Sequence, residues 1–256
     1  MNKIILDLEV KHREVLNDNY VVLKTTHVEK LPLMLPGQFA QLRVDHEPAV
    51  MLRRPISINY VDYDKNEVWF LIQIAGKGTA KLAEAKIGDT INTIFPLGST
   101  FTLPEDTNQS LLLVGGGVGV APLLFLGAEL KKHGFNPTFL LGARSQKDLL
   151  QLNEFEKLGP VLTTTEDGSQ GEKGFVTNHS VFQEASFDMI YTCGPRPMME
   201  AVAALAKQKK IECEVSLENM MACGIGACLC CVEETTRGNV CTCTEGPVFN
   251  TRELLW

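Results

Sequence analysis

The chain of 256 residues has no cysteine before Cys193. Disulfides that staple a secreted fold are spread along a chain, so this one-sided distribution excludes such a framework. Basic residues are also in deficit: 24 Lys and Arg stand against 31 Asp and Glu, a formal charge of −7. That balance excludes a nucleic-acid partner, whose binding begins with phosphate neutralisation. Aromatics make up only 7% and do not interleave with basic residues as a base-stacking surface requires. No Ser-His-Asp set and no paired carboxylates stand out for acid–base chemistry. The apolar run at the N-terminus is broken by Asp7 and is too short for a signal-peptide core. Residues 111–128 carry no charge and just reach the length of a membrane helix, but they hold five glycines and Pro122. They read as a buried strand, a glycine turn and a helix start. The expectation is a cytoplasmic protein with no membrane span.

What is present is ordinary globular composition, 45% hydrophobic and 21% charged. At roughly 100–200 residues per domain, the length suggests two domains and an appendage. Residues 4–10, 20–25, 38–44, 56–60, 68–74 and 90–95 read as six short strands, which predicts a closed antiparallel barrel. A short helix is expected at 79–85, with Thr79 as its N-cap. From residue 111 strands and helices alternate: strands at 111–114, 138–141, 161–165, 189–192 and 212–216, helices at 122–133, 149–158 and 197–208. Alternation of this kind predicts a parallel sheet with helices on its faces. The segments are set at 1–101, 102–211 and 212–256, the last being Gly- and Cys-rich.

Six of the eight cysteines fall between Cys223 and Cys243. Cys223, Cys228 and Cys231 form C-x4-C-x2-C, the plant-type spacing for a [2Fe–2S] cluster, with a fourth thiolate further on. Gly224 and Gly226 let the loop wrap the cluster and bring backbone N–H groups close to its sulfurs. Both Cys241 and Cys243 can supply the fourth ligand. The competing reading is a structural zinc site, which also accepts four thiolates, although the usual pair of C-x2-C knuckles is missing.

Two further junctions suit a dinucleotide. Gly115, Gly116, Gly117 and Gly119 join a strand to a helix that opens near Pro122, where a pyrophosphate can meet backbone N–H groups. The alternative is a glycine-rich packing turn. Cys193-Gly194-Pro195 stands at another strand-to-helix junction, where α/β sheets bind ligands. Earlier, Arg53 and Arg54 lie on a strand and should point to opposite sides. One is expected to be solvated, while Arg54 and Ser57 can serve a phosphate and a flavin edge. The turn 75–79 offers a second anion nest.

In order, these motifs resemble the ferredoxin–NAD(P) reductase superfamily. The shared features are Arg54-Pro55-Ile56-Ser57, the glycine turn before Thr79, G-G-G-x-G-x-x-P, C-G-P and the C-terminal cysteines. The chain is most similar to the electron-transfer subunits of class 1B dihydroorotate dehydrogenases. The segment 221–231 and the run Cys243-Thr-Glu-Gly-Pro-Val-Phe249 carry that likeness. The resemblance implies an FAD-binding barrel, an NAD-binding domain and a [2Fe–2S] appendage. It implies FAD contacts at Arg54, Pro55, Ile56, Ser57, Leu71, Ile72, Gln73, Gly78 and Thr79. It places NAD at the two glycine turns, with Cys193 near the nicotinamide. It selects Cys243 as the fourth cluster ligand. Wider reductases place Tyr where Ile56 stands, so stacking from that position is absent. The implied function is a relay from the FMN of a catalytic partner subunit through [2Fe–2S] and FAD to NAD+, in pyrimidine biosynthesis. The implied assembly is a heterotetramer of two of each subunit. Two rivals remain: a related reductase subunit serving ferredoxin, a hydrogenase or a sulfite reductase, and a non-enzymatic zinc-binding interaction module.

Overall fold

Branched and aromatic residues draw the first hundred residues into strands. The computed structural model describes residues 3–256. The first sheet contains β1 (Ile4–Asn17), β2 (Tyr20–Thr26), β3 (Phe39–Leu42), β4 (Arg54–Ser57), β5 (Tyr60–Asp62) and β6 (Glu67–Gln73). After helix α1 (Lys77–Ala83) it is completed by β7 (Thr90–Leu97). The order is β4-β3-β7-β1-β2-β6-β5, antiparallel throughout.

Seven strands therefore stand where six were predicted. The expected strand at 56–60 is interrupted at Ile58 and Asn59. The Ile58 N–H donates to the Gln38 carbonyl and the Asn59 N–H to the Trp69 carbonyl, both at 3.0 Å. Within two residues the chain leaves one edge of the curled sheet and joins the other. The expected closed barrel is thus an open curled sheet, whose two edges this covalent corner joins without a ladder between β4 and β5. The N-cap of α1 is Gly76, and Thr79 stands inside the first turn. The Thr79 hydroxyl accepts the N–H groups of Ala75 (2.9 Å) and Gly76 (3.2 Å), so it fastens the turn from within.

The second sheet contains β8 (Leu111–Gly116), β9 (Thr138–Ala143), β10 (Val161–Thr165), β11 (Glu172–Lys173), β12 (Met189–Cys193) and β13 (Glu212–Ser216). These run parallel, and α2 (Ala121–Lys132), α3 (Leu152–Glu156), α4 (Val181–Glu184) and α5 (Arg196–Lys209) connect them. The predicted helix at 149–158 shortens to α3, because Gln151 ahead of it takes a left-handed φ of +53°. The uncharged stretch at 111–128 is β8, a single 3-10 turn and the start of α2. Among the described residues no helix is long and apolar enough to cross a membrane.

The C-terminal residues form a hairpin of β14 (Val232–Thr235) and β15 (Gly238–Cys241), then β16 (Val248–Asn250). β16 adds antiparallel to β13, with Val215 opposite Phe249. The segment is also tied to the barrel. The Ser99 hydroxyl donates to the Val248 carbonyl and accepts the Val248 N–H, each at 3.1 Å.

Alternation along the strands separates two cores. Val21, Leu23, Ala40, Leu42, Phe70 and Ile72 fill the barrel. Tyr20, Val22, Trp69 and Leu71 face outward and pack on Ala121 and Leu124 of α2. Asn59 fastens the same seam: its side chain donates to the Ala121 carbonyl (3.1 Å) and exchanges two 3.0 Å bonds with Gln151.

One buried carboxylate stitches the linker to the second sheet. Glu214 accepts the Thr102 N–H (3.0 Å) and hydroxyl (2.6 Å). Burial raises its pKa, so the stability contributed by the carboxyl itself is complete below the unfolded value and is lost as pH rises through the folded one, whereas the Thr102 bonds oppose that rise and are worth most to the ionised carboxylate. Thr102→Val is expected to cost about 1–3 kcal/mol at pH 8 and less at pH 5, read from urea unfolding.

Candidate functional site

Strand order reverses about β8 and β12, whose register sets Cys193 beside Gly115. That switch point opens a crevice at the strand ends, where ligands of open α/β sheets bind. The two glycine turns meet there. A Cβ at Gly119 would lie 2.4 Å from both N and Cα of Gly194, and one at Gly116 would lie 2.5 Å from the Met198 sulfur. Gly115, Gly116 and Gly119 are thus required for close packing. Gly117 is different: it has φ of +55°, and a Cβ there would meet only the Tyr20 hydroxyl at 3.9 Å. Pro122 is in the first turn of α2 and Pro195 caps α5. Cys193 is fully buried, and burial holds its thiol well above the ordinary value, so it is no thiolate nucleophile.

A cleft of about 230 Å³ adjoins this crevice. The barrel contributes Pro55, Ile56, Ser57, Leu71, Gln73 and Thr79, the glycine turn and α2 contribute Val118 and Ala121, and the C-terminal segment contributes Leu217, Glu218, Asn219, Met221 and Pro247. Ile72, the neighbour of Leu71, is expected among the flavin contacts, but alternation along β6 points it into the barrel core and it does not line the cleft. Arg54 sits directly over the start of α1, where a Cβ at Gly78 would lie 2.4 Å from its Nε. Its Nη1 donates to the Leu52 carbonyl at 2.9 Å, which turns the rest of the guanidinium toward that helix. Arg53 turns the other way, but not into solvent: it donates to the carbonyls of Gln41 (3.2 Å) and Asn92 (2.8 Å) and ties three strands together.

These residues fit a flavin. Pro55, Ile56 and Leu71 form apolar walls, and Ser57, whose hydroxyl has no protein partner among the described residues, can meet a polar ring edge. Arg54 offers a cation to a pyrophosphate. Glu218 is the titratable cleft residue among those that sequence reasoning missed, with Val118, Ala121, Leu217, Asn219 and Pro247. Its carboxylate oxygen lies 4.0 Å from the Cys193 sulfur. It touches solvent in the cleft, yet the surrounding protein pushes its pKa up. No motif marks it; only the path of the chain after β13 brings it there.

The cysteine loop lies against the barrel. Cys231 and Cys243 pack with Phe39 and Leu97, while Cys228 and Cys230 are exposed. Backbone N–H groups point at sulfur: Ile225 (3.4 Å) and Ala227 (3.3 Å) at Cys223, Gly226 (3.1 Å) at Cys243, and Cys243 (3.4 Å) at Cys231. Burial pushes the Cys223 thiol up, but the Ile225 N–H and Cys228 outweigh it and bring it to about 6. Burial, together with the Cys231 thiol, pushes Cys243 up to about 12. Cys228 neighbours Cys223, and Cys231 neighbours both Cys241 and Cys243, so the thiols gather in one loop cluster. Among the described residues no three His, Cys, Asp or Glu converge on a single-ion site. Cys241 also neighbours Cys231, but the Gly226 N–H is aimed at Cys243.

A larger cavity, about 560 Å³, opens at the far end of the seam between barrel and α2. It shares no residue with these motifs. Its charges are mostly paired, as in Lys65–Asp62 (3.0 Å) and Lys157–Glu154 (2.8 Å), and Lys24 covers the Trp69 ring.

Comparison with known proteins follows this division. Residues 113–204 match the oxidoreductase NAD-binding domain, and residues 218–255 match the iron–sulfur cluster binding domain of dihydroorotate dehydrogenase B. The chain is 39% identical over 251 residues to the dihydroorotate dehydrogenase B (NAD(+)) electron transfer subunit of Shouchella clausii, covering 96% of each. The chain belongs to the family of dihydroorotate dehydrogenase B electron-transfer subunits. The family member from a Geobacillus species is 36% identical over 252 residues, again 96% of each chain. Among solved structures, an NADH-dependent reduced ferredoxin-NADP oxidoreductase is similar with a TM-score of 0.88 and 30% identity, covering 97% of this chain and 90% of that one. A ferredoxin reductase of carbazole 1,9a-dioxygenase shares the fold, with a TM-score of 0.70 at 21% identity, covering 82% of this chain and 67% of that one. The reductase fold that the motifs implied is therefore the fold of this family member.

Proposed function

We propose that this chain is the electron-transfer subunit of a dihydroorotate dehydrogenase, an oxidoreductase linking NAD to a catalytic partner that oxidises dihydroorotate on FMN. Two copies of each subunit form the working assembly. When bound, FAD exchanges a hydride with the nicotinamide and the [2Fe–2S] cluster exchanges single electrons with the partner. The observation that carries this reading is the shared cleft: flavin strands, glycine turn and cysteine segment all wall one cavity.

Arg54 anchors the FAD pyrophosphate beside Gly78 and Thr79. Pro55, Ile56, Ser57, Leu71 and Gln73 hold the ring. The turn of Gly115, Gly116, Gly117 and Gly119 with Pro122, packed against Cys193, Gly194 and Pro195, receives NAD. Cys223, Cys228, Cys231 and Cys243 hold the cluster. Met220 (83% exposed), just ahead of this loop, and Leu229 (65% exposed), within it, present an apolar rim to the partner.

The test is the visible spectrum of the chain purified without oxygen. Flavin bands with broad iron–sulfur absorption, both bleached by NADH, support the reading; a colourless zinc protein overturns it. Adding the FMN subunit and dihydroorotate should reduce the same bands, and reduction by ferredoxin alone would assign another partner. In the same assay Cys241→Ser is expected to retain its iron and Cys243→Ser to lose it.

A further inference from the structure

Gln41 is buried with no solvent exposure, and neither its side-chain nitrogen nor its oxygen has a hydrogen-bond partner among the described residues. A carboxamide has two donor hydrogens and an accepting oxygen, so leaving it unpaired in the interior is costly. Where it points is set by the strand. Side chains alternate along β3, so Ala40 and Leu42 enter the barrel core while Phe39 and Gln41 share the opposite face. Phe39 packs on Cys231 and Cys243. Gln41 reaches the other limb of the same loop: a Cβ at Gly224 would lie 2.7 Å from both its Cγ and its Nε2. Gly224, with φ of +71°, directly follows Cys223. The cross-strand neighbour of Gln41 is Pro55, which lines the flavin cleft. The unpaired amide thus stands between the flavin strand and the cysteine loop.

Sulfide and thiolate sulfurs in a cluster only accept hydrogen bonds, and the NH2 end of a carboxamide only donates. We propose that Gln41 is a hydrogen-bond donor to the sulfur atoms held by the cysteine loop, and that it sets the reduction potential of that centre. Gln41 is a positioning residue here, since it ligates no iron. The proposal rests on the iron–sulfur reading of the four cysteines. A donor to sulfur favours the more negative, reduced form, as backbone N–H groups do in the same loop.

The test is a potentiometric titration followed by electron paramagnetic resonance on the full chain, with iron and FAD contents measured alongside. Gln41→Met keeps length and removes the donor. At a fixed poise it is expected to lower the ratio of reduced to oxidised cluster about tenfold, a downward shift of ~59 mV for one electron. Gln41→His keeps an N–H donor and is expected to stay within about threefold of the parent, well inside that tenfold step. An unmoved potential in Gln41→Met, or equal shifts in both variants, overturns the proposal while leaving the cluster assignment intact. A parent chain without any cluster overturns both. Should Gln41→Met fail to hold iron, the parent labelled with 15N in glutamine side chains decides. Pulsed resonance on the reduced cluster should show coupling to one such nitrogen, and no coupling refutes the assignment.

Discussion

Cys231→Ser is expected to give a yellow protein without cluster absorption, still reduced by NADH but unable to exchange electrons with the catalytic subunit. Cys231 is 2% exposed and sits between Phe39 and Cys243, so serine fits the space. The hydroxyl is a far weaker ligand than a thiolate, and loss of one of four ligands opens the site. Dihydroorotate-to-NAD+ turnover with the partner should fall by roughly a thousandfold or more, ~4 kcal/mol in barrier terms. FAD content should not change, because the cleft walls contributed by β4 and β6 do not depend on this cysteine. Iron analysis and turnover of the reconstituted complex check it. A variant that keeps its iron would remove Cys231 from the ligand set.

Gly119→Ala should damage the junction of the two glycine turns with a single methyl. The added carbon would meet the backbone of Gly194 at 2.4 Å and the carbonyl carbon of Cys193 at 2.5 Å. Neither can yield easily, since β8 and β12 are locked in register up to Gly115 and Cys193. Overpacking of this kind costs about 1–3 kcal/mol, and here it forces apart the two turns proposed to receive the nicotinamide nucleotide. A tenfold or larger rise in KM for NADH is expected, together with a lower unfolding midpoint. Val118, one residue before, lines the flavin cleft, so the flavin absorption should also shift. An unchanged KM would mean that the dinucleotide does not depend on this junction.

Most of the candidate site was legible because its motifs are local in sequence. The C-x4-C-x2-C run, the glycine turn and Arg54-Pro55-Ile56-Ser57 each need their residues within one loop or strand, and short spacing shows them. The choice between Cys241 and Cys243 was not local: the geometry favours Cys243 through the Gly226 N–H on the facing limb of the loop. Other features depend on distant parts of the chain. The corner at Ile58 and Asn59 contains no Gly or Pro, so nothing announces that the chain changes sheet edge there. β1 runs on to Asn17 through a polar stretch because β2 pairs with it, not because its own pattern demands a strand. Arg53 looks like a solvated charge until β3 and β7 supply the carbonyls it binds. Glu218 and Gln41 carry no motif; their surroundings are assembled by strands far apart in the chain.

The C-terminal segment has a mechanical consequence. It pairs with β13 in the second sheet through β16 and grips Ser99 at the end of the barrel. The chain therefore ties the two halves at both ends of their packed seam, at the exposed linker around residues 105–110 and again at this strap. A protease that nicks the linker would leave both pieces held together and co-eluting, whereas a truncation before Val248 would leave the seam between barrel and α2 without its far clamp and lower the denaturant concentration at which the halves part.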